Sequence, residues 1–186
     1  MLGLKQLKNT ITNENYRYHK EFGIFMLDWN WEVRADLSLP NGTQSEKAHK
    51  WFREWMREII KQLRINACAI AIYRNKNDIP HFHIHMLGTD RKTGKNLNAL
   101  PQEMFDEMER IWKRTVKCWI YKSKIGPIQS AQRSSSYITG PKNVSKNNPD
   151  GWDIFWYNNK FLEKYRKMNP QVENFPLSLL HKLPQS

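Results

Sequence analysis

The sequence predicts an α+β fold, with helices packed on one side of a central antiparallel β-sheet. Several short runs alternate apolar and polar residues, as strands with one buried face do. Two longer segments repeat apolar residues at helical spacing. The segments follow the order strand, helix, strand, strand, helix, strand, which is typical of helices laid on one face of an antiparallel sheet. A chain of 186 residues has the length of one such domain.

The first predicted strand is the run "WNWEVRADLSLP", in which every second residue from Trp29 to Leu39 is apolar. The turn "PNGT" follows it. Thr43 and Glu46 have capping-box spacing, so we expect a helix to begin near Ser45 and to end at 64–66. Its apolar stripe comprises Ala48, Phe52, Trp55, Met56, Ile59 and Leu63.

The next two predicted strands are "ACAIAIY" (67–73) and "HFHIHMLG" (81–88), which the turn "RNKND" joins as antiparallel neighbours. Pro101 opens the second helix. A last strand, "KCWIYKS" (117–123), completes the sheet. We expect a polar basic arm at 1–22, a domain at 23–160 and a basic tail at 161–186.

Charge and cysteine content indicate the partner and the compartment. Lys and Arg number 30 against 18 Asp and Glu, which gives a net charge of +12 and favours a polyanion, above all single-stranded nucleic acid. Cys68 and Cys118 each lie in an apolar run, as reduced core thiols do. No apolar segment has the length to span a bilayer, and the first residues lack the apolar core of a signal peptide. We therefore expect a soluble cytoplasmic protein without a membrane partner.

Three of the six histidines lie in the stretch "IPHFHIHMLG". His81, His83 and His85 alternate with apolar residues, so on a strand they share one face. Imidazoles at that spacing can converge on one divalent ion, or two of them can bind it while the third has another role. The alternative interpretation is a merely polar strand face.

This stretch resembles the histidine, hydrophobe, histidine motif of the HUH superfamily, the nickases that initiate rolling-circle replication of plasmids and phages. The order of elements around it is similar over residues 25–146. "HFHIHML" also resembles the signature of the histidine-triad nucleotide hydrolases, although that motif usually lies near the end of its domain, whereas about a hundred residues follow here. The HUH resemblance implies a ferredoxin-like or RRM-like palm and a metal-dependent enzyme that nicks and joins single-stranded DNA at an origin or hairpin. Helicase or other replication machinery would be its further partners.

The same resemblance implies the site. His81 and His83 would bind Mn²⁺ or Mg²⁺, with His85 or Glu32 as the third ligand. Glu32 and Asp36 both lie on the polar face of the first strand and could approach the histidines from a neighbouring strand; the alternative interpretation of these acids is a surface salt bridge to Arg34. A downstream tyrosine would be the nucleophile. The first candidate for this nucleophile is Tyr137, with Tyr121 and Tyr157 in reserve, and its basic neighbours would be Lys142 and Lys146. The residues expected to contact DNA are Arg34, Arg74, Lys76, Lys142 and Trp152.

The match to the family is incomplete around that tyrosine. Lys142 lies five residues after Tyr137 rather than three or four, and Gly140 and Pro141 interrupt any helix between them. A second alignment puts Asn143 at the nucleophile position, which would make the protein a single-strand binder that does not cleave. Both interpretations stay open at the level of sequence.

Overall fold

The computed structural model describes residues 31–76, 79–119, 123–129 and 152–156. Within them the chain forms β1 (Val33–Ser38), α1 (Ser45–Gln62), β2 (Ile65–Lys76), β3 (Ile79–Asp90), a 3₁₀ turn (Leu97–Ala99), α2 (Gln102–Val116), β4 (Lys124–Pro127) and β5 (Trp152–Trp156). All the strand pairs are antiparallel, and the order across the sheet is β4-β1-β3-β2-β5. The predicted α+β class is confirmed.

One face of the sheet forms the core with both helices. Alternate residues of β1, β2 and β3 point into this core, so its composition follows from the period-two pattern of the strands. Aromatic rings fill the space between the layers: Phe52 and Phe82 are 5.7 Å apart between ring centroids, and Trp55 and Trp112 are 5.9 Å apart. Trp112 also donates its indole N–H to the carbonyl of Ser38 at 2.9 Å, which ties α2 to the end of β1.

The predicted capping box is wrong, although α1 does begin at Ser45. The hydroxyl of Thr43 donates to the carbonyl of Pro40 at 2.6 Å and so closes the preceding turn. Gln44 occupies the N-cap position without a side-chain hydrogen bond. At the other end α1 stops at Gln62, earlier than predicted, and Arg64 turns the chain with a positive φ of 54°.

The last predicted strand is displaced. Lys117, the expected first residue of "KCWIYKS", adopts a left-handed conformation and caps α2, and the amide of Cys118 donates to the carbonyl of Lys113 at 3.1 Å. The first residues of that run therefore cap α2. β4 begins only at Lys124, and the sheet gains β5, a strand that the sequence pattern did not predict.

β2 and β3 are the predicted antiparallel neighbours, but each is longer than expected and has 12 residues. Arg74 to Lys76, expected in the turn, belong to β2. The predicted arm (1–22) and tail (161–186) lie outside the described residues. So do Tyr121, Tyr137, Lys142, Lys146 and Tyr157.

Candidate functional site

β3 carries the three histidines across the middle of the sheet. Phe82 and Ile84 enter the core with the helices, so the alternating histidines lie on the opposite face. The register with β1 pairs Ser38 with His81, Asp36 with His83 and Arg34 with His85. Because paired residues of antiparallel strands project to the same side, the polar residues of β1 lie beside the histidines.

His83 is held by a carboxylate from β1. Its Nδ1 lies 2.6 Å from Oδ1 of Asp36. An ionised carboxylate only accepts hydrogen bonds, so Nδ1 carries the proton and donates it. In the neutral ring the acceptor lone pair is then on Nε2. Asp36 thus fixes both the orientation and the tautomer of His83, as carboxylates hydrogen-bonded to metal-binding histidines do.

Asp36 is in turn held by Arg34, whose guanidinium nitrogen lies 2.8 Å from Oδ2 and 3.0 Å from Oδ1. Burial alone would raise the pKa of Asp36. The hydrogen bonds from His83 and Arg34, together with their charges, outweigh burial and hold this pKa below its ordinary value. Asp36 is therefore a carboxylate at neutral pH. Arg34, which is also predicted to contact DNA, takes part in this network.

His81 lies next to His83, with 4.9 Å between the ring centroids and the ring planes nearly perpendicular. Its Nδ1 is 3.0 Å from the carbonyl of Ile79, which only accepts, so this nitrogen also carries the proton. Burial lowers the pKa of His81, and the bond to Ile79 opposes that shift only in part. A neutral imidazole with Nε2 as acceptor is the form that binds a metal ion.

His85 shares the face but has a different environment. Its side chain is fully buried, and its ring centroid lies 6.1 Å from that of Trp31. Burial, followed by the charge of Arg34, lowers the pKa of His85 to about 3. A ring that is neutral throughout the physiological range and inaccessible to solvent has the character of a packed core residue.

Glu32 is not brought together with His81 and His83. Its carboxylate accepts the amide N–H of Leu97 at 2.9 Å and that of Gly88 at 3.4 Å. Burial raises the pKa of Glu32, and these two hydrogen bonds oppose the rise. Glu32 therefore links the end of β3 to the 3₁₀ turn, at the other end of β1 from Ser38.

Among the residues that the structure describes, no three His, Cys, Asp or Glu side chains are grouped closely enough to hold a metal ion. The described site supplies two adjacent imidazoles, one with a carboxylate behind it. Two imidazoles can supply part of the coordination of a divalent ion, although oxygen atoms are the ligands that Mg²⁺ and Mn²⁺ prefer.

Of the other residues predicted to contact DNA, Arg74 and Lys76 lie on β2 and Trp152 lies on β5. Arg74 of β2 pairs in register with His81, on the same sheet face. Lys76 lies at the end of β2, and Trp152 of β5 pairs with Ile72 across the outer strand pair. Lys142, together with Tyr137 and Lys146, lies outside the described residues.

Sequence reasoning placed Asp36 on this face without identifying its partner, and it missed Lys124. The pairing of Asp36 with His83 depends on the register of β1 and β3, which are separated in sequence by a helix and a strand. Lys124 was missed because the last strand was placed too early; it pairs with Asp36 from β4. The apolar Ile125 directly after Lys124 is the local signal for the alignment of this strand.

Comparison of the chain with protein-family models, with curated proteins and with solved structures gave no match. Neither helix in the described part of the chain has the length and apolar character that crossing a membrane requires.

Proposed function

We propose that this protein is a metal-dependent endonuclease of the HUH type, which nicks and rejoins single-stranded DNA through a phosphotyrosine intermediate. The observation that carries the proposal is the pair of adjacent imidazoles of His81 and His83 on the polar face of a central strand, with Asp36 fixing the tautomer of His83. The excess of positive charge suits a nucleic acid substrate.

The described residues have distinct tasks in this proposal. His81 and His83 would hold Mn²⁺ or Mg²⁺ through Nε2, and the bound ion would polarise the scissile phosphate. Asp36 keeps His83 in the required tautomer, and Arg34 keeps Asp36 ionised and in place. A helix layer covers the opposite face, so the rings rest on a rigid, packed strand.

Tyr137 is the proposed nucleophile. Its phenolic oxygen loses its proton and attacks the phosphorus, which forms a tyrosine–phosphate ester with the 5′ end and breaks the bond to the 3′ oxygen. The 3′ oxygen leaves as a hydroxyl after gaining a proton. Attack by the same 3′ hydroxyl on the ester reverses the step and rejoins the strand.

The test is formation of a covalent adduct. The full chain is incubated with single-stranded DNA labelled at its 3′ end and with Mn²⁺, then denatured, and the label that stays with the protein is measured. We expect an adduct with the unaltered protein and none with Tyr137→Phe or His81→Ala. The matched controls Tyr121→Phe and Tyr157→Phe should retain it.

Other outcomes would overturn the proposal. Binding of DNA without an adduct, with any divalent metal, would mean a protein that binds and does not cleave. Hydrolysis of small nucleotides without affinity for DNA would instead favour the histidine-triad activity, with His83 as nucleophile. Loss of the adduct in Tyr157→Phe rather than Tyr137→Phe would keep the activity and reassign the nucleophile.

A further inference from the structure

A basic residue that the sequence pattern did not select lies on the polar face of the sheet. Lys124 opens β4 and pairs in register with Asp36 of β1. The next residue, Ile125, is buried in the core with the helices, so Lys124 projects to the opposite face, where the histidines lie. Both the register and the alternation of burial thus assign Lys124 to the face of His83.

The position of Lys124 relative to His83 follows from the order of the strands. The row of paired residues runs from Lys124 through Asp36 to His83. Neighbouring strands are about 4.8 Å apart, so the backbones of Lys124 and His83 are separated by roughly 10 Å. The long, flexible lysine side chain brings its ammonium group close to a ligand held at His83.

The charge of Lys124 is not needed to neutralise Asp36. That carboxylate is already bonded to Arg34 and to His83. On the other side of the histidine pair, Arg74 pairs in register with His81. A basic residue therefore lies on each side of the histidine pair, Arg74 on the adjacent strand and Lys124 two strands away, an arrangement that suits a polyanion crossing the strands.

We propose that Lys124 binds a backbone phosphate of the single-stranded DNA, adjacent to the phosphate held at His81 and His83, and thereby sets the path of the strand from β4 towards β2. This inference rests on the proposed function and adds a substrate-binding residue to it. A lysine on an edge strand can also serve to prevent strand pairing between molecules. The test therefore measures the salt dependence of DNA binding, which that second role would not change.

The test measures how salt weakens binding of a labelled oligothymidine to the full chain, without divalent ions. Each phosphate contact to a single strand contributes about 0.7 to the slope of log affinity against log salt concentration. We expect Lys124→Gln to reduce the slope by about 0.7 and Lys124→Arg to retain it. The matched control is Lys61→Gln, since Lys61 is exposed on α1, on the other side of the sheet, and its slope should equal that of the unaltered protein.

The failures of the two proposals are distinguishable. If the unaltered protein binds the oligonucleotide and Lys124→Gln leaves the slope unchanged, the role of Lys124 is overturned while the proposed function stands. An equal reduction in Lys61→Gln would also overturn it, because the effect would then be one of net charge. If the unaltered protein does not bind even at low salt, the proposed function itself fails.

Discussion

The two ends of the histidine strand differ in chemistry although they share one sheet face. At the first end, His81 and His83 are adjacent, and Asp36 and Arg34 support His83 from the next strand. At the second end, His85 is fully buried, and the strand passes so close to β2 that only a glycine fits at position 88. The face is therefore divided into a part suited to binding and a part that holds the sheet together.

The comparison shows what a repeat of three histidines does and does not specify. Period two places all three rings on one face, but packing gives them different exposures and partners. His83 is only 5% exposed, and its Nδ1 is held by Asp36. His81 is half-buried, whereas His85 has no exposed surface. We therefore expect substitutions at the two ends to affect different properties, and the predictions below test that division.

The largest expected effect is a loss of stability at the end of β3 that carries His85 and Gly88. A Cβ added to Gly88 would lie 1.9 Å from the carbonyl oxygen of Asn66, so either β2 or β3 must shift. We expect Gly88→Ala to lower the free energy of unfolding by about 3 kcal/mol or more, at the upper end for single substitutions. Chemical denaturation measures this difference.

The matched control is Gly126→Ala in β4, where an added Cβ meets no atom within 4 Å. Its unfolding free energy should change by no more than about 0.5 kcal/mol. Equal effects of the two substitutions would contradict the close approach of β2 and β3 at this end.

The elements themselves were largely readable from sequence, because helix stripes and strand alternation are local patterns. The pairing of the site residues across strands could not be predicted from sequence, because β1 and β3 are separated in the chain by a packed helix and a strand, and no local pattern gives their register. Glu32 illustrates the limit. Its parity with the residues of β1 predicts the polar face, but parity says nothing of its distance from His81 along the strand.

The second prediction separates His81 from His85. Removal of a residue that hydrogen-bonds to a metal ligand commonly costs about 10–100-fold in metal affinity, so removal of a ligand should cost at least about 100-fold. We expect His81→Ala to reduce Mn²⁺ affinity by that factor with little change in stability. His85→Ala should leave Mn²⁺ affinity of the folded protein within a few-fold, but lower the free energy of unfolding by about 2 kcal/mol through the cavity that it creates.

Isothermal titration with Mn²⁺ and denaturation of the same preparations measure both quantities. Loss of Mn²⁺ affinity in a stably folded His85→Ala protein would make His85 a ligand and would erase the proposed division of the face. Equal affinities of His81→Ala and the unaltered protein would remove His81 from the metal site.

The smallest expected effect concerns Glu32 and depends on pH. Burial raises the pKa of Glu32 in the folded protein, so the folded state holds its proton more tightly than the unfolded state. The stabilisation from this difference is complete below the pKa of the unfolded state, near 4.5, and is lost as the pH rises through the higher pKa of the folded state.

The variant Glu32→Gln retains an oxygen that accepts the hydrogen bond from Leu97, but it removes the titrating carboxyl group. We expect the unfolding free energy of the unaltered protein, relative to that of Glu32→Gln, to fall as the pH rises above about 4.5, while Mn²⁺ affinity at neutral pH is the same in both. A lower Mn²⁺ affinity in Glu32→Gln would instead mean that Glu32 belongs to the same metal site as His81 and His83.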